Sequence, residues 1–218
     1  MNIKRYAFWA FFIIILGLIF WGLIIAMNKP ATGSVTAQPR EVTSADHILG
    51  PADAPVTLIE YGDFQCPACG AYFSLVERLT TEASTTVRLV FRHFPLYPLP
   101  HPNSLISAEA AEASGLQGKF WDMYRLLYKN QSDWANLADA HQAMYGYAQE
   151  LNLDMTKFKA DLDSSAVKDA VMKDSDEAQQ LGINSTPTFF VNGKVITNPQ
   201  SYEAFKALIE AAASGSSK

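Results

Sequence analysis

The chain has 218 residues, 49% of them hydrophobic, and carries a net charge of −5. That length accommodates one fair-sized domain plus an extra segment, and the mild acidic excess leaves no basic footprint for a nucleic-acid partner.

The extra segment is at the front. Residues 7–27 contain no charged side chain and are rich in aromatics (Phe8, Trp9, Phe11, Phe12, Phe20, Trp21). As a helix they would span about 31 Å, enough to cross a bilayer. Lys4 and Arg5 precede them like the basic start of a signal peptide, but the apolar run exceeds the ~7–15 residues of such a peptide. Ala26-Met27-Asn28 is also a poor cleavage site. Residues 1–27 are therefore expected to be an uncleaved transmembrane anchor, with cleavage near Val35-Thr36-Ala37 and secretion as the alternative. No cysteine follows the run to carry a lipid. The basic residues ahead of the span place the N-terminus in the cytoplasm and the rest of the chain outside it. A domain without stray thiols suits the oxidising compartment found there. Residues 28–45 are Pro, Thr, Ser, Gly and Ala with few apolar residues, and read as a flexible tether reaching about 25 Å.

One domain accounts for residues 46–213. The run Val-Thr-Leu-Ile-Glu-Tyr at 56–61 ends in Gly62-Asp63, the punctuation of a buried strand followed by a turn. Next comes Cys66-Pro67-Ala68-Cys69, which uses both cysteines of the chain. Pro67 suits a first helical position, and Ala71, Phe73, Leu75, Val76 and Leu79 follow at helical spacing, so Cys66 is expected at the helix N-cap. Unpaired N–H groups and the helix dipole there favour thiolate over thiol. Cysteines so placed titrate at about 3.5 to 7.5, against about 8.5 for a free thiol. Cys66 is thus the expected nucleophile, and Cys69, one turn on and less exposed, the resolving thiol.

A zinc knuckle and a purely structural disulfide are the alternatives for the pair. Tetrahedral zinc needs two further ligands, and His47, His93, His101 and His141 show no H-x3-5-H spacing. A structural disulfide over so short a loop constrains the unfolded chain little. No metal ligand is assigned, and His93 and His101, which flank the proline-rich loop at 95–102, read as packed or solvated side chains.

A second strand is expected at 87–92, completing a β-α-β unit. Residues 103–181 are helical in pattern throughout, with the stripe Phe120, Trp121, Tyr124, Leu127 and Tyr128 assigned to the core. Strands at 188–191 and 194–197 flank Asn192-Gly193, a type I′ hairpin signal. A helix over 199–213 and a disordered tail at 214–218 complete the chain. The fold class is α/β.

This order, with C-x-x-C at the first strand-to-helix junction, resembles the thioredoxin fold with the helical insertion of the DsbA family. The carriers are Ile48-Leu49-Gly50, the stretch Glu60-Tyr61-Gly62-Asp63-Phe64-Gln65 leading into the cysteines, Phe91-Arg92-His93-Phe94-Pro95-Leu96, Gly118-Lys119-Phe120-Trp121 and Thr186-Pro187-Thr188-Phe189-Phe190-Val191-Asn192-Gly193. They are similar to the membrane-anchored or secreted branch of that family. The resemblance implies a thiol-disulfide oxidoreductase with a redox-active Cys66–Cys69 disulfide and no bound cofactor. It also implies a cis bond at Pro187, backbone groups of Ser185 and Thr186 that pair with an extended substrate, and a buried acid at Glu60. Buried, Glu60 would be raised in pKa and would take a proton from Cys69 as that thiol attacks. The implied partners are unfolded or reduced polypeptides, a membrane quinone-linked thiol oxidase, and the bilayer through the N-terminal helix. The tether is too short for a dimerisation domain, so a monomer is expected.

One departure bears on direction. Strongly oxidising members often carry His between the cysteines, whereas this chain has Pro67-Ala68. A reductase or isomerase kept reduced by a membrane electron donor is therefore an alternative to a disulfide donor, and a non-catalytic peptide-binding or chaperone module is a third possibility.

Overall fold

In the computed structural model, which describes residues 37–215 and positions 9, 13, 16 and 17, the β-branched runs pair into a single sheet. Its strands are β1 (His47–Leu49), β2 (Val56–Gly62), β3 (Val87–His93), β4 (Thr188–Val191) and β5 (Lys194–Val195). They lie in the order β1-β3-β2-β4-β5, with β2 and β3 parallel and the other neighbours antiparallel. Helix α1 (Pro67–Glu82) joins the parallel pair. The helical block holds α2 (Ser104–Gly115), α3 (Phe120–Lys129), α4 (Gln131–Trp134), α5 (His141–Glu150), α6 (Met155–Leu162) and α7 (Ser165–Gln180), and α8 (Tyr202–Gly215) closes the fold. The result is a thioredoxin-like α/β fold with a helical insertion. The expected anchor at 1–27 lies outside the described residues apart from the four positions above. Among the described residues no helix is long and apolar enough to cross a membrane.

Both faces of the sheet are covered. Val56, Leu58, Leu89 and Val191 pack with Val76 and Leu79 of α1 and Phe205 and Ile209 of α8. Ile59, Tyr61, Val90 and Phe190 face the other way, against Ala178 at the end of α7 and Leu181 and Ile183 beyond it. A strand covered on both faces need not alternate apolar with polar, and β2 is buried at every position except Thr57. A third core lies under the insertion, where Phe73 of α1, Phe91 of β3, Tyr124 and Tyr128 of α3, Trp134 and Phe158 surround Phe64 and the cysteines. The aromatic stripe of α3 is core, as its spacing indicates.

Local chemistry sets the ends of several elements. Asp154 caps α6 by accepting from the N–H groups of Thr156 and Lys157, and Ser164 caps α7 through Val167. Asn192 and Gly193 both have positive φ (48° and 77°), the backbone that a type I′ turn requires. Three boundaries differ from expectation. β1 is only three residues long, too short to show a period, and exists because its backbone pairs with β3. β5 stops at Val195, short of the expected 197. α8 begins at Tyr202 and runs to Gly215, into the expected tail, and residues 216–218 lie outside the described residues.

A buried ion cluster ties the front of the domain down. The Arg92 side chain is 0% exposed. Its Nε donates to Asp46 Oδ1 at 2.9 Å and its Nη1 to the Tyr61 hydroxyl at 3.1 Å and to Glu177 at 3.2 Å. Arg40 donates to Asp46 at 3.0 Å, to Asp174 at 2.6 Å and to Glu177. Arg40, within the stretch read as tether at 28–45, is thus held against α7. Burial opposes ionisation of Asp46, but the Thr43 N–H and the Arg92 guanidinium outweigh it and hold the carboxyl below its ordinary value.

Arg92→Ala removes the buried guanidinium of this cluster and leaves Arg40 as the remaining partner of Asp46 and Glu177, and is expected to cost about 3 kcal/mol in urea denaturation, the low end for breaking a buried ion pair. Asp46, with a depressed folded pKa, contributes stability in full above its unfolded value near ~3.9. That contribution should disappear as pH falls through the lower folded value, and Asp46→Asn should flatten this acid limb.

Candidate active site

The turn after β2 delivers the two sulfurs to the start of α1. Cys66 is the N-cap residue, in extended conformation (φ −67°, ψ 122°), and Pro67 follows it inside the helix. This geometry points the free N–H groups of Ala68 and Cys69 at the Cys66 sulfur, and no acidic residue occupies the first turn to oppose them. Both thiols are free and buried, at 7% exposure for Cys66 and 0% for Cys69.

Their environments push the two acidities apart. The Cys66 thiol is lowered to about 5, first by the hydrogen bond from Cys69, against an opposing effect of burial, with the Thr186 side chain and the two N–H groups adding. Cys69 is pushed well above the ordinary thiol value, first by burial, then by donating to Cys66 and by the nearby Glu60 carboxyl. The reduced pair therefore carries one negative charge, on Cys66, and one proton, on Cys69.

Thr186 comes to the site from 120 positions away in sequence, its carbonyl oxygen 3.4 Å from Cys66 Sγ. The Thr186–Pro187 peptide is cis. Thr186 and Pro187 are buried and Ser185 is exposed.

Glu60 lies in β2, level with Phe91 of β3 and Phe189 of β4. It is 0% exposed. Burial pushes its carboxyl up to about 8, and the Tyr124 hydroxyl, 3.4 Å from Oε2, offsets this only in part. Oε1 has no partner among the described residues. Strict alternation against Ile59 and Tyr61 would have exposed this residue. A strand buried on both faces removes that objection.

Residues that sequence reasoning did not assign hold the turn in place. Asp63 touches both cysteines through its backbone: its carbonyl accepts the Cys66 N–H at 3.1 Å and its N–H donates to the Cys69 sulfur. Its buried carboxylate accepts from Gln65 N at 2.8 Å, Leu96 N at 3.1 Å and His101 Nδ1 at 2.5 Å. Gln131 Nε2 donates to the carbonyls of Phe64 at 2.7 Å and Cys66 at 2.9 Å. Gln131 comes so close that a Cβ at Gly70 would lie 2.5 Å from its Oε1. Gly62-Asp63 was visible in the sequence as turn punctuation, and nothing there singled out Gln131. A cleft of about 250 Å³ opens beside Pro67, lined by Gln65, Pro100, His101 and Gln131. A stabilised thiolate next to a protonated partner thiol, with a backbone carbonyl at its side, has the parts needed for disulfide exchange.

Comparison with known proteins agrees with this chemistry. The Thioredoxin family model matches residues 42–211. The Na(+)/H(+) antiporter NhaA 1 of Salinispora arenicola is 41% identical over 170 residues, 78% of this chain and 25% of the antiporter. The Na(+)/H(+) antiporter NhaA of Herminiimonas arsenicoxydans is 35% identical over 195 residues, 89% of this chain and 29% of the antiporter. The chain thus spans about a quarter of the length of the curated relatives it matches. Oxidised BdbD from Bacillus subtilis superposes with a TM-score of 0.72 at 28% identity, covering 82% of this chain and 97% of BdbD. Wolbachia pipientis alpha-DsbA1 shares the fold, with a TM-score of 0.71 at 21% identity over 80% of this chain and 94% of its own.

In the reduced protein the ultraviolet thiolate absorbance is expected to rise with a midpoint near pH 5 and to lose that transition in Cys66→Ser. With its folded pKa depressed, Cys66 stabilises the reduced fold in full above the free-thiol value of about 8.5. This contribution should be lost as pH falls through about 5, so unfolding of the reduced form should become easier across that window while the oxidised form is unaffected. A midpoint above 8 would contradict stabilisation of the Cys66 thiolate by its neighbours.

Proposed function

We propose that this chain, which belongs to the thioredoxin family, is a DsbA-like thiol-disulfide oxidoreductase that donates its Cys66–Cys69 disulfide to reduced polypeptides outside the cytoplasm. The observation that carries the direction is the lowering of Cys66 to about 5 beside a Cys69 raised well above the ordinary value. A stabilised thiolate favours the reduced state of the pair and makes the disulfide easy to pass on.

In the forward reaction a substrate thiolate attacks Cys66 Sγ, the Cys66–Cys69 bond breaks, and Cys69 leaves and takes up a proton. Glu60, raised to about 8 and electrostatically coupled to Cys69, is the residue proposed to supply that proton. A second substrate thiolate then attacks the substrate sulfur of the mixed disulfide and releases Cys66 as a thiolate. Two substrate thiols have become a disulfide, and the enzyme pair has gained their two electrons. In reverse, Cys69 attacks the mixed disulfide and Glu60 takes its proton. Backbone groups of Ser185 and Thr186, next to Pro187, are proposed to align the substrate as an added strand. The 3.4 Å approach of Thr186 to Cys66 supports that role.

Location and partners belong to the same proposal. Residues 1–27 are the anchor and 46–213 the catalytic domain, monomeric and without a bound cofactor, and the tether of 28–45 is shortened at its far end, where Arg40 is held against α7. A quinone-linked thiol oxidase of the membrane reoxidises the pair. The charge-free span, the basic residues ahead of it and the absence of stray thiols support this location. So does the naming of its relatives as Na(+)/H(+) antiporters, since an antiporter works across a membrane. The uncharged Pro67-Ala68 dipeptide favours the reverse assignment, a reductase or isomerase kept reduced by a membrane electron donor.

The reduction potential of the pair, equilibrated against glutathione, separates the two. A value near about −120 mV marks a donor, and one near about −270 mV a reductant. Cys66→Ser should abolish turnover and Cys69→Ser should trap substrates as mixed disulfides. If neither variant changes thiol status or captures a partner, the protein is a peptide-binding module instead. Glu60→Gln should slow resolution of the mixed disulfide about 10²-fold while the Cys66 titration stays near 5.

A further inference from the structure

Away from the cysteines, three side chains of ligand type converge from three separate elements: His47 of β1, His93 at the end of β3 and Glu112 of α2. Glu112 Oε1 lies 2.9 Å from His47 Nε2 and 3.0 Å from His93 Nε2, and the three ligand atoms all fall within 4.8 Å of one another. Packing fixes both rings. The His47 ring stacks on Phe120 at 3.4 Å between centroids and 4° between planes. His93, 1% exposed, is wedged among Phe64, Phe91 and Phe120. His93 Nδ1 is buried with no partner among the described residues, so the polar contact of this ring runs entirely through Nε2, into the cluster. The site thus brings together one carboxylate oxygen and two imidazole nitrogens as candidate ligand atoms.

We propose that His47, His93 and Glu112 form a binding site for a divalent transition-metal ion of the zinc class. Zinc binds imidazole and carboxylate at about 2.0–2.1 Å, which in a tetrahedron sets neighbouring ligand atoms about 3.3 Å apart. The 2.9 and 3.0 Å contacts to Glu112 need to open by a few tenths of an ångström, and the two Nε2 atoms, within 4.8 Å of each other, need to settle to the same spacing, to admit the ion. Two nitrogen donors out of three select against calcium and magnesium, which take oxygen ligands. The His47 and Glu112 side chains are 21% and 13% exposed, which gives the ion a route in and leaves a fourth position for water. No local sequence spacing announces this set, because its members are 46 and 19 residues apart and meet only through β1–β3 pairing and the packing of α2. A bound ion would pin β1, β3 and α2 together, with the His93 ring 5.9 Å from that of Phe64, two residues before Cys66. The site does not depend on the redox proposal.

The test uses the full chain carrying Cys66→Ser and Cys69→Ser, so that no thiol competes, stripped with a chelator and titrated with Zn²⁺ by calorimetry. One equivalent should bind and raise the unfolding temperature. His47→Ala and Glu112→Gln, shown by circular dichroism to remain folded, should each weaken binding by more than about 100-fold, since losing even a residue that only hydrogen-bonds a ligand costs about 10–100-fold. A readout on the unsubstituted ligands covers the case of a variant that fails to fold: Zn²⁺ should shift the imidazole resonances of His47 and His93 and leave those of His101 and His141 in place. Absence of saturable binding, a bound equivalent that survives both substitutions, or shifts at His101 or His141 instead would show that Glu112 is simply a hydrogen-bonded carboxylate between two imidazoles.

Discussion

One proton held between two sulfurs of unequal burial is the constraint on which the rest of this molecule depends. Cys66 sits where free N–H groups and a neighbouring thiol can stabilise charge, while Cys69, one helical turn deeper, lies where burial opposes it. Were both equally buried, neither would ionise, and were both equally exposed, the resolving thiol would lose its protection. The asymmetry requires a helix that begins at Cys66 and a core that closes over Cys69. The strand-turn-helix unit supplies the first and the helical insertion the second.

Holding that arrangement falls to the structure around the turn. β2 runs through the centre of the sheet, covered on both faces, and carries Glu60 in its interior and Asp63 just past its end. Asp63 ties the backbone of both cysteines to the proline-rich loop through Leu96 and His101, and Gln131 pins the carbonyls of Phe64 and Cys66 from the insertion. These contacts satisfy buried polar groups that would otherwise be costly. They also make the site a composite of the sheet, the loop and the insertion. The Arg92 cluster does comparable work further back, joining the entry segment to β3 and α7.

The histidine–glutamate cluster belongs to the same layer of the molecule. His93 ends the strand that contains Arg92, its N–H donates to Asp174 of the ion cluster at 3.0 Å, and its ring packs on Phe64. β3 thus carries, on consecutive residues, one side chain committed to ion pairing and another to the proposed metal site. An ion bound there would act on the redox turn through packing alone, with no polar contact to either sulfur.

Much of this protein was legible in the sequence because the signals are local. Apolar runs bounded by Gly-Asp and Asn-Gly marked the longer strands and the hairpin, helical spacing marked the insertion, and Cys-Pro-x-Cys at a strand-to-helix junction identified the pair and predicted a depressed Cys66. A helix N-terminus acts on its own first residue, so its electrostatics can be read from order and spacing. What only the tertiary structure decided is whatever depends on residues far apart in the chain. The burial of Glu60 follows from cover on both faces of β2, which alternation within one strand cannot reveal. β1 is defined by its partner. The approach of Thr186 to Cys66, the clamp of Asp63 on His101, the contact of Gln131 with Gly70 and the meeting of His47, His93 and Glu112 all join segments that no local pattern relates. Burial and hydrogen bonding are properties of the packed chain, and they decide which of its polar residues are functional.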